Sequence, residues 1–425
     1  MERLARKIFS YENRLLLILG LAFGLVFFDR QAASILAPFI QKDLALDNTQ
    51  IGLLTSVLAL SWALSAYVIS RWSDAVGRRK PFLIAFVIIF SACSVASGLA
   101  HSFPSLVAAR LLMGVVEGPF LPICLAIMTM ESSPTRRALN AGVMQNLFSA
   151  LLGNGLAAII LVALAVRFGW RSAFYLSALP GLLIALALWL WVRERAHPPI
   201  PTRAEEAADG GAGLLVLLRN HNVRVCAVLS ILMVGWLLIG SSFLPVFLTS
   251  ARHMAPAQMS HIMFLLGLCA ALSAFVAPPL SDRFGRRPVM IGFCALSAVA
   301  PLTAVFFTGP EWAFAALMFV GWAGTGVFPM FMGVIPGESL SPRHATTAMG
   351  LVICAGETIG GFAGPLLAGA AADRTSLAAP MAISAACALA AALVALLLIE
   401  TAPARRPAQS NMHEDLVSPT YVRIV

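Results

Sequence analysis

The chain has 425 residues, of which 59% are hydrophobic and 12% charged, with a formal net charge of +9. Soluble globular chains carry about 25% charged residues, so these proportions exclude a soluble domain and point to an all-α membrane protein. The basic excess does not read as a nucleic-acid footprint. Of the 29 Lys and Arg, 22 fall on one side of an alternating topology, 5 on the other and 2 inside apolar runs. That is the positive-inside distribution, which sets orientation.

Arg3, Arg6, Lys7 and Arg14 precede the first apolar run, which is too long for a signal peptide and reads as a retained span. The apolar runs number twelve: 15–40, 51–70, 81–100, 104–130, 138–166, 172–192, 223–249, 257–281, 289–308, 311–336, 344–371 and 377–399. A helix of about 20 residues crosses the hydrocarbon, so each run predicts a transmembrane helix. The stretch 193–222, which opens RERAHPPIPTRAEEAADGGAG, has no apolar periodicity and reads as a flexible cytoplasmic linker. The expected organisation is a six-helix bundle over 1–192, the linker, a second bundle over 223–399 and a polar, disordered tail over 400–425. An even number of spans per half places both termini in the cytoplasm.

Four charges stand inside these runs: Asp29 and Arg30 in the first, Arg110 and Glu117 in the fourth. A charge at the centre of a membrane helix costs about 2.5–3.5 kcal/mol on insertion scales unless it faces protein or a wet cavity. At about 1.5 Å per residue, Asp29 and Arg30 lie between the depths of Arg110 and Glu117. Seven residues are close to two turns, so the latter pair share a helix side. A crossed arrangement is expected, Asp29 toward Arg110 and Arg30 toward Glu117. A plain ion-pair clamp is the bland alternative, and buried ion pairs are poor stabilisers.

The halves repeat. SDAVGRRKP at 73–81 recurs as SDRFGRRP at 281–288, placing Asp74 and Asp282 208 residues apart. ESSPTRRALNAG recurs loosely as ESLSPRHATTAMG, with Pro134 and Pro342 at the same offset of 208. Parallel repeats of six helices with a site at their interface are one design of a rocking carrier.

With D-x-x-G-R-R after the second and eighth helices, the chain resembles the major facilitator superfamily over essentially its whole length. The family's loop motif is matched by Asp74, Gly77, Arg78 and Arg79, with Ser70 and Ala75 departing. The second copy keeps Asp282, Arg283, Gly285, Arg286 and Arg287, with Pro278 for a glycine. The resemblance implies a gating role in which the aspartate caps and pairs with neighbouring helix ends. Asp-Arg in the first helix, APFIQKDLALDNTQIGLL at 37–54, R-x6-E in the fourth and GWRSAF at 169–174 look like the anion:cation symporter branch. Spinster-like lipid transporters share part of this set. The fifth helix reads LLGNGLAA without the proline of the drug-antiporter signature. Arg110, Gly114 and Gly118 match the family's R-x3-G pattern, glycines allowing close helix approach.

As chemistry, an anion carrier driven by protons needs a fixed cation and a carboxylate that can be neutralised. Arg30 suits the first task, since guanidinium stays charged and binds carboxylate bidentately. Glu117 and Asp29 suit the second, because burial favours the protonated and a nearby arginine the ionised form. The expected cycle loads a proton on Glu117, after Asp29, frees Arg30 for the substrate carboxylate and releases both inside. Arg110 is the ion-pair partner of Asp29. From the second half, Glu357 either lines the cavity or lies toward the cytoplasmic third, beside a stripe of Gly356, Gly360 and Gly364 that argues for tight packing. Trp236, with Ser241 and Ser242, offers a largely apolar wall, and Asn146, Gln145 and Asn154 offer hydrogen bonds.

His253 and His261 read as ordinary loop histidines. The seven cysteines fall in apolar runs without metal-like spacing, so neither disulfide, metal nor other cofactor is expected. No hydrolase grouping or Walker sequence appears, so no enzyme is expected. The functional expectation is a monomeric carrier in a bacterial-type inner membrane, importing a small organic carboxylate with protons. The alternatives are a spinster-like amphiphile exporter and a substrate sensor that has lost turnover.

Overall fold

A computed structural model describes residues 10–133, 135–194, 217, 219–340 and 342–402. Twelve helices among them are long and apolar enough to span a bilayer. They are α1 (Tyr11–Ile35), α2 (Asn48–Ser70), α3 (Lys80–Gly98), α4 (Phe103–Glu131), α5 (Leu139–Phe168) and α6 (Trp170–Trp191), then α7 (His221–Ala251), α8 (Pro256–Phe284), α9 (Arg286–Phe306), α10 (Glu311–Glu338), α11 (Thr347–Arg374) and α12 (Ala378–Ala395). The loop after α1 and every second loop thereafter lie on one face, called here the odd-loop face. The others form the even-loop face. No strand occurs among the described residues.

Local chemistry sets the helix ends. Ser10 accepts from the Asn13 N–H at 3.3 Å to start α1, and Asn220 accepts from the Val223 N–H at 3.1 Å to start α7. The motif glycines Gly77 and Gly285 have φ of 70° and 104°, values that side-chain-bearing residues avoid, so each lets the chain reverse sharply into the next helix. Inside α5 and α11 the backbone widens into π turns, over Ser149–Leu156 and Gly356–Gly361 respectively. Such turns push side chains out of regular helical register, frequently at functional sites.

α1, α4 and α7 are the most enclosed helices. α6 and α12 turn Leu179, Leu183, Leu186, Leu389 and Leu393 outward, as a lipid-facing helix should. Lipid tails are as apolar as leucine, so helix association rests on close packing. Glycines supply it: an added Cβ at Gly114 or Gly118 would strike Ser61 and Ser65 of α2. Gly356, Gly360 and Gly364 abut Ser230, the Ile231 carbonyl and Ile239 of α7. The glycine stripe of α11 therefore packs as its spacing suggests.

The halves meet along α2–α11, α5–α8 and α1–α7. Gly52 rests on the Pro365 carbonyl, Gly155 on Gly267, and Thr55 and Ser242 share a hydrogen bond of 2.8 Å. At the odd-loop end Asp373 bonds Asn48 and Thr49 at 2.6–2.9 Å, fastening α11 to the first turn of α2.

Two of the expected boundaries fall at described residues. Most of 193–222 and of the tail lies outside the described residues, but Glu194, which is exposed, and Glu400 to Ala402 are placed. Thr401 and Ala402 are 3% and 0% exposed. The tail assigned to 400–425 therefore starts after a folded stub, because Glu400 has four backbone N–H groups to accept.

Candidate functional site

The four membrane charges do come together, but not in the crossed arrangement. Arg110 is 2% exposed and aims its guanidinium at the backbone of α1, donating to the Asp29 carbonyl at 3.1 Å and the Arg30 carbonyl at 2.6 Å. These carbonyls lie one to two turns from the break at Leu36, where Pro38 begins a short helical segment. A cation near the C-terminal end of a helix is favoured by its dipole. The Asp29 carboxyl faces Ser94 of α3 and Ser177 of α6, away from the expected head-on pair, though Arg110 still acts on it electrostatically. Depth counting cannot show which way a helix is rotated, and rotation decided this.

Glu117 is 0% exposed, and neither carboxylate oxygen has a hydrogen-bond partner. It sits where α4 breaks at Gly118 and Pro119, with Arg110 and Arg30 near enough for their charges to act on it. Arg30 does not pair with Glu117. Its guanidinium reaches across the interface to Glu357 of α11 at 3.5 Å, and the side chains are 11% and 13% exposed. The rings of Phe27 and Trp62 flank it, with centroids 5.6 and 5.3 Å away, a geometry in which aromatic faces attract the cation. Of the two positions left open for Glu357, the structure takes the one at the inter-half crevice, presented by the widened turn of α11.

Two candidate ligands are placed elsewhere. Trp236 is 0% exposed, donates its indole N–H to the Ser297 carbonyl at 2.9 Å and packs on Trp322 at 4.9 Å. It faces the interior of the second half, whereas Val234 and Leu238 face Ala59 of the first. Asn146 is half-buried in a widened turn of α5 and is not brought to Arg30. From the same helix Asn154 bonds the residue next to Arg30, accepting from Gln31 Nε2 at 2.5 Å. Gln31 was not singled out, although its place after Arg30 was a usable signal.

On the even-loop face the second motif copy forms a dense clamp. Arg286 donates to Ser281 at 2.6 Å, Asp282 at 2.5 Å and Glu338 at 2.8 Å, and Thr401 donates to Glu338 at 2.7 Å. Asp282 thus pairs four residues along its own chain and, among the described residues, caps no neighbouring helix. Glu400 is the cap: it accepts from the N–H groups of Arg286 and Arg287 at the start of α9. In the first copy the same task falls to Glu194, which accepts from the N–H groups of Arg79 and Lys80 at 3.1 and 3.0 Å. Arg79 also donates to Met130 Sδ, while Arg78 is exposed and Gly77 makes the turn. The side chain of Asp74 lies outside those described. Glu194 and Glu400 were missed because each stands alone at the end of an apolar run, but their spacing of 206 residues almost matches the repeat.

No group of three or more metal-ligating side chains occurs among the described residues. The seven cysteines are unpaired and, Cys354 apart, at least half-buried.

The family model described as Major Facilitator Superfamily matches residues 19–249 and again 225–422. The 3-(3-hydroxy-phenyl)propionate transporter of Escherichia coli K12 is 29% identical over 373 residues, 85% of this chain and 88% of its own. The hexuronate transporter of Bacillus subtilis 168 is 28% identical over 307 residues, 71% and 72% of the two chains. Among solved structures, an inward-facing, unoccupied bacterial homologue of the human lysosomal transporter Spinster superposes with a TM-score of 0.75. It is 22% identical and is matched over 91% of this chain and 98% of its own.

Proposed function

The chain belongs to the Major Facilitator Superfamily, and from that premise we propose that it imports a small organic carboxylate together with protons by alternating access. It is a membrane transporter, not an enzyme. The observation that carries the finer reading is Arg30: a largely buried guanidinium at the interface of the halves, held by one carboxylate from the opposite half. The names of the two relatives, both transporters of organic acids, support it.

In this reading Arg30 binds the cargo carboxylate. Glu117 and Asp29, fully buried beside Arg110, exchange the coupling protons. A proton on Glu117 removes one buried negative charge near Arg30, so that the site can take the charge of a new anion. Arg110 positions α1 through its carbonyls and keeps the unprotonated site from carrying uncompensated negative charge. The odd-loop face, fastened by Asp373, is extracellular, the termini are cytoplasmic, and the membrane is the inner membrane of a bacterial-type cell. The motif clamps around Arg286 and Glu194 stiffen the cytoplasmic ends of each half as they rock. One chain holds every proposed site residue, so the transporter works as a monomer.

The test is transport by purified protein in liposomes, wild type against Glu117→Gln, across a panel of carboxylates. Wild type is expected to accumulate an acid under an inward proton gradient. The variant is expected to lose accumulation and keep exchange between equal pools. Wild type that moves no acid under any gradient overturns the reading and makes amphiphile efflux the next assay.

A further inference from the structure

Arg30 and Glu357 are opposite charges on opposite halves, and their contact is incomplete. The guanidinium is 3.5 Å from Glu357 Oε2, yet that oxygen has no hydrogen-bond partner. The widened turn over Gly356–Gly361 places the carboxylate in the crevice, while Gly356 and Gly360 lock its backbone against α7. Arg30 is fixed from the other side by Phe27, Trp62 and its position on α1. Arg30 is therefore flanked by two aromatic rings, and Glu357 Oε2 meets it as an ion pair without a well-formed hydrogen bond.

A guanidinium offers five N–H groups in a fixed fork, and a carboxylate binds it best along one edge through two parallel bonds. An incoming carboxylate that takes this geometry competes with Glu357 for the same cation. Glu357 is then left in the crevice without a cation, the costly outcome for a buried acid unless another donor meets it. Among groups a small organic acid can carry, a hydroxyl or phenol supplies such a donor.

Resting on the carboxylate-import reading, we infer that Glu357 fills the anion subsite of Arg30 in the empty carrier. It becomes a cargo-binding acceptor once displaced, so the cargo is a hydroxylated carboxylate rather than a plain one. The carboxylate of the cargo pairs with Arg30, its hydroxyl donates to Glu357, and the rings of Phe27 and Trp62 flank the body between. Glu357 is thus both the internal competitor of every anion and the group that selects among them.

The experiment is equilibrium binding to full-length protein in nanodiscs with three pairs of probes: 3-hydroxybenzoate and benzoate, 3-(3-hydroxyphenyl)propionate and 3-phenylpropionate, gluconate and hexanoate. A hydrogen bond to a charged acceptor predicts that wild type favours the hydroxylated member of at least one pair about tenfold or more. Glu357→Gln is expected to bind the plain acid tighter than wild type and to shrink the hydroxyl preference to about twofold, the gap left by a neutral acceptor. Glu357→Asp, which keeps the charge, is expected to keep the preference, so a folding defect in one variant does not decide the matter. Unchanged affinities and preference in Glu357→Gln overturn the inference, as does a wild type that favours the plain member of every pair. Arg30→Gln separates the layers. If it binds like wild type, the carboxylate reading itself falls. If it loses binding while Glu357→Gln behaves as wild type, only the role of Glu357 falls.

Discussion

The carboxylate of Asp373, at the end of α11, holds Thr49 in the first turn of α2 by two bonds. Its Oδ2 accepts from the Thr49 N–H at 2.8 Å and from the Thr49 hydroxyl at 2.6 Å. Its Oδ1 accepts from the N–H and the amide of Asn48 at 2.9 and 2.8 Å. A negative charge at a helix N-terminus is also favoured by the dipole. Asp373→Ala removes four bonds that fasten the two halves at the odd-loop end, and in the alternating-access reading these must break when that face opens. Exposed charge-assisted bonds contribute modestly, so the expected shift toward an open odd-loop face is about tenfold, roughly 1.4 kcal/mol. Spin labels at the exposed residues Lys42 and Arg374 read it as a longer distance population.

Arg110 is a fully enclosed cation, and removing one partner of a buried charge set costs about 3–5 kcal/mol. Arg110→Ala is expected to destabilise the protein by that order, because two α1 carbonyls lose donors and Glu117 loses its neighbouring charge. Adding Glu117→Leu to Arg110→Ala should restore part of the loss. Thermal melting of the two single variants and the double variant in one detergent measures the coupling. Additive losses contradict the arrangement.

Gly114 and Gly118 set how closely α4 lies against α2. A Cβ at either position meets a serine hydroxyl and the carbonyl of Leu58 or Trp62. Gly114→Ala or Gly118→Ala is expected to cost about 1–3 kcal/mol by overpacking. Gly142→Ala meets nothing within 4 Å and should be neutral or slightly stabilising, since alanine is the better helix former. Melting temperatures of the three variants test the contrast.

Glu400 carries a pH signature. Burial pushes its carboxyl up, but the N–H groups of Ala402, Arg286, Arg287 and Thr401 together hold it below its ordinary 4.5. A carboxyl lowered on folding contributes stability that is full above its unfolded value and is lost as pH falls through the folded one. The start of α9 is therefore expected to stay tied at pH 7 and to loosen below about pH 4.5. Amide exchange at Arg286 and Arg287, corrected for its intrinsic pH dependence, checks this. Glu400→Gln should show the loosened pattern at every pH.

The twelve spans were legible because a bilayer imposes a length on each apolar run and because charges gather between runs. The repeat was legible from SDAVGRRKP and SDRFGRRP, since two loops of one family of turns need the same glycine. The site charges were legible for the opposite reason: Asp29, Arg30, Arg110 and Glu117 violate the apolar pattern around them. Their pairing was not. Spacing gives depth and helical phase, but the rotation of α1 against α4 and α11 sets whether Arg30 meets Glu117 or Glu357. Trp236 was misplaced for the same reason, its face of α7 being turned toward Trp322. Glu400 was hidden by position, because one acid at the end of an apolar run looks like the start of a tail.

The widened turns of α5 and α11 occupy Ser149–Leu156 and Gly356–Gly361, and the repeat offset of 208 brings Gly153 onto Gly361 and Ser149 onto Glu357. The same distortion thus recurs at equivalent places of the two repeats. What diverged is the side chain each copy mounts on it, a hydroxyl in one half and an acid in the other. One backbone device thus carries two different headgroups: the Ser149 hydroxyl turns back onto the Gln145 carbonyl of its own helix, and the Glu357 acid reaches across to Arg30 of the other half.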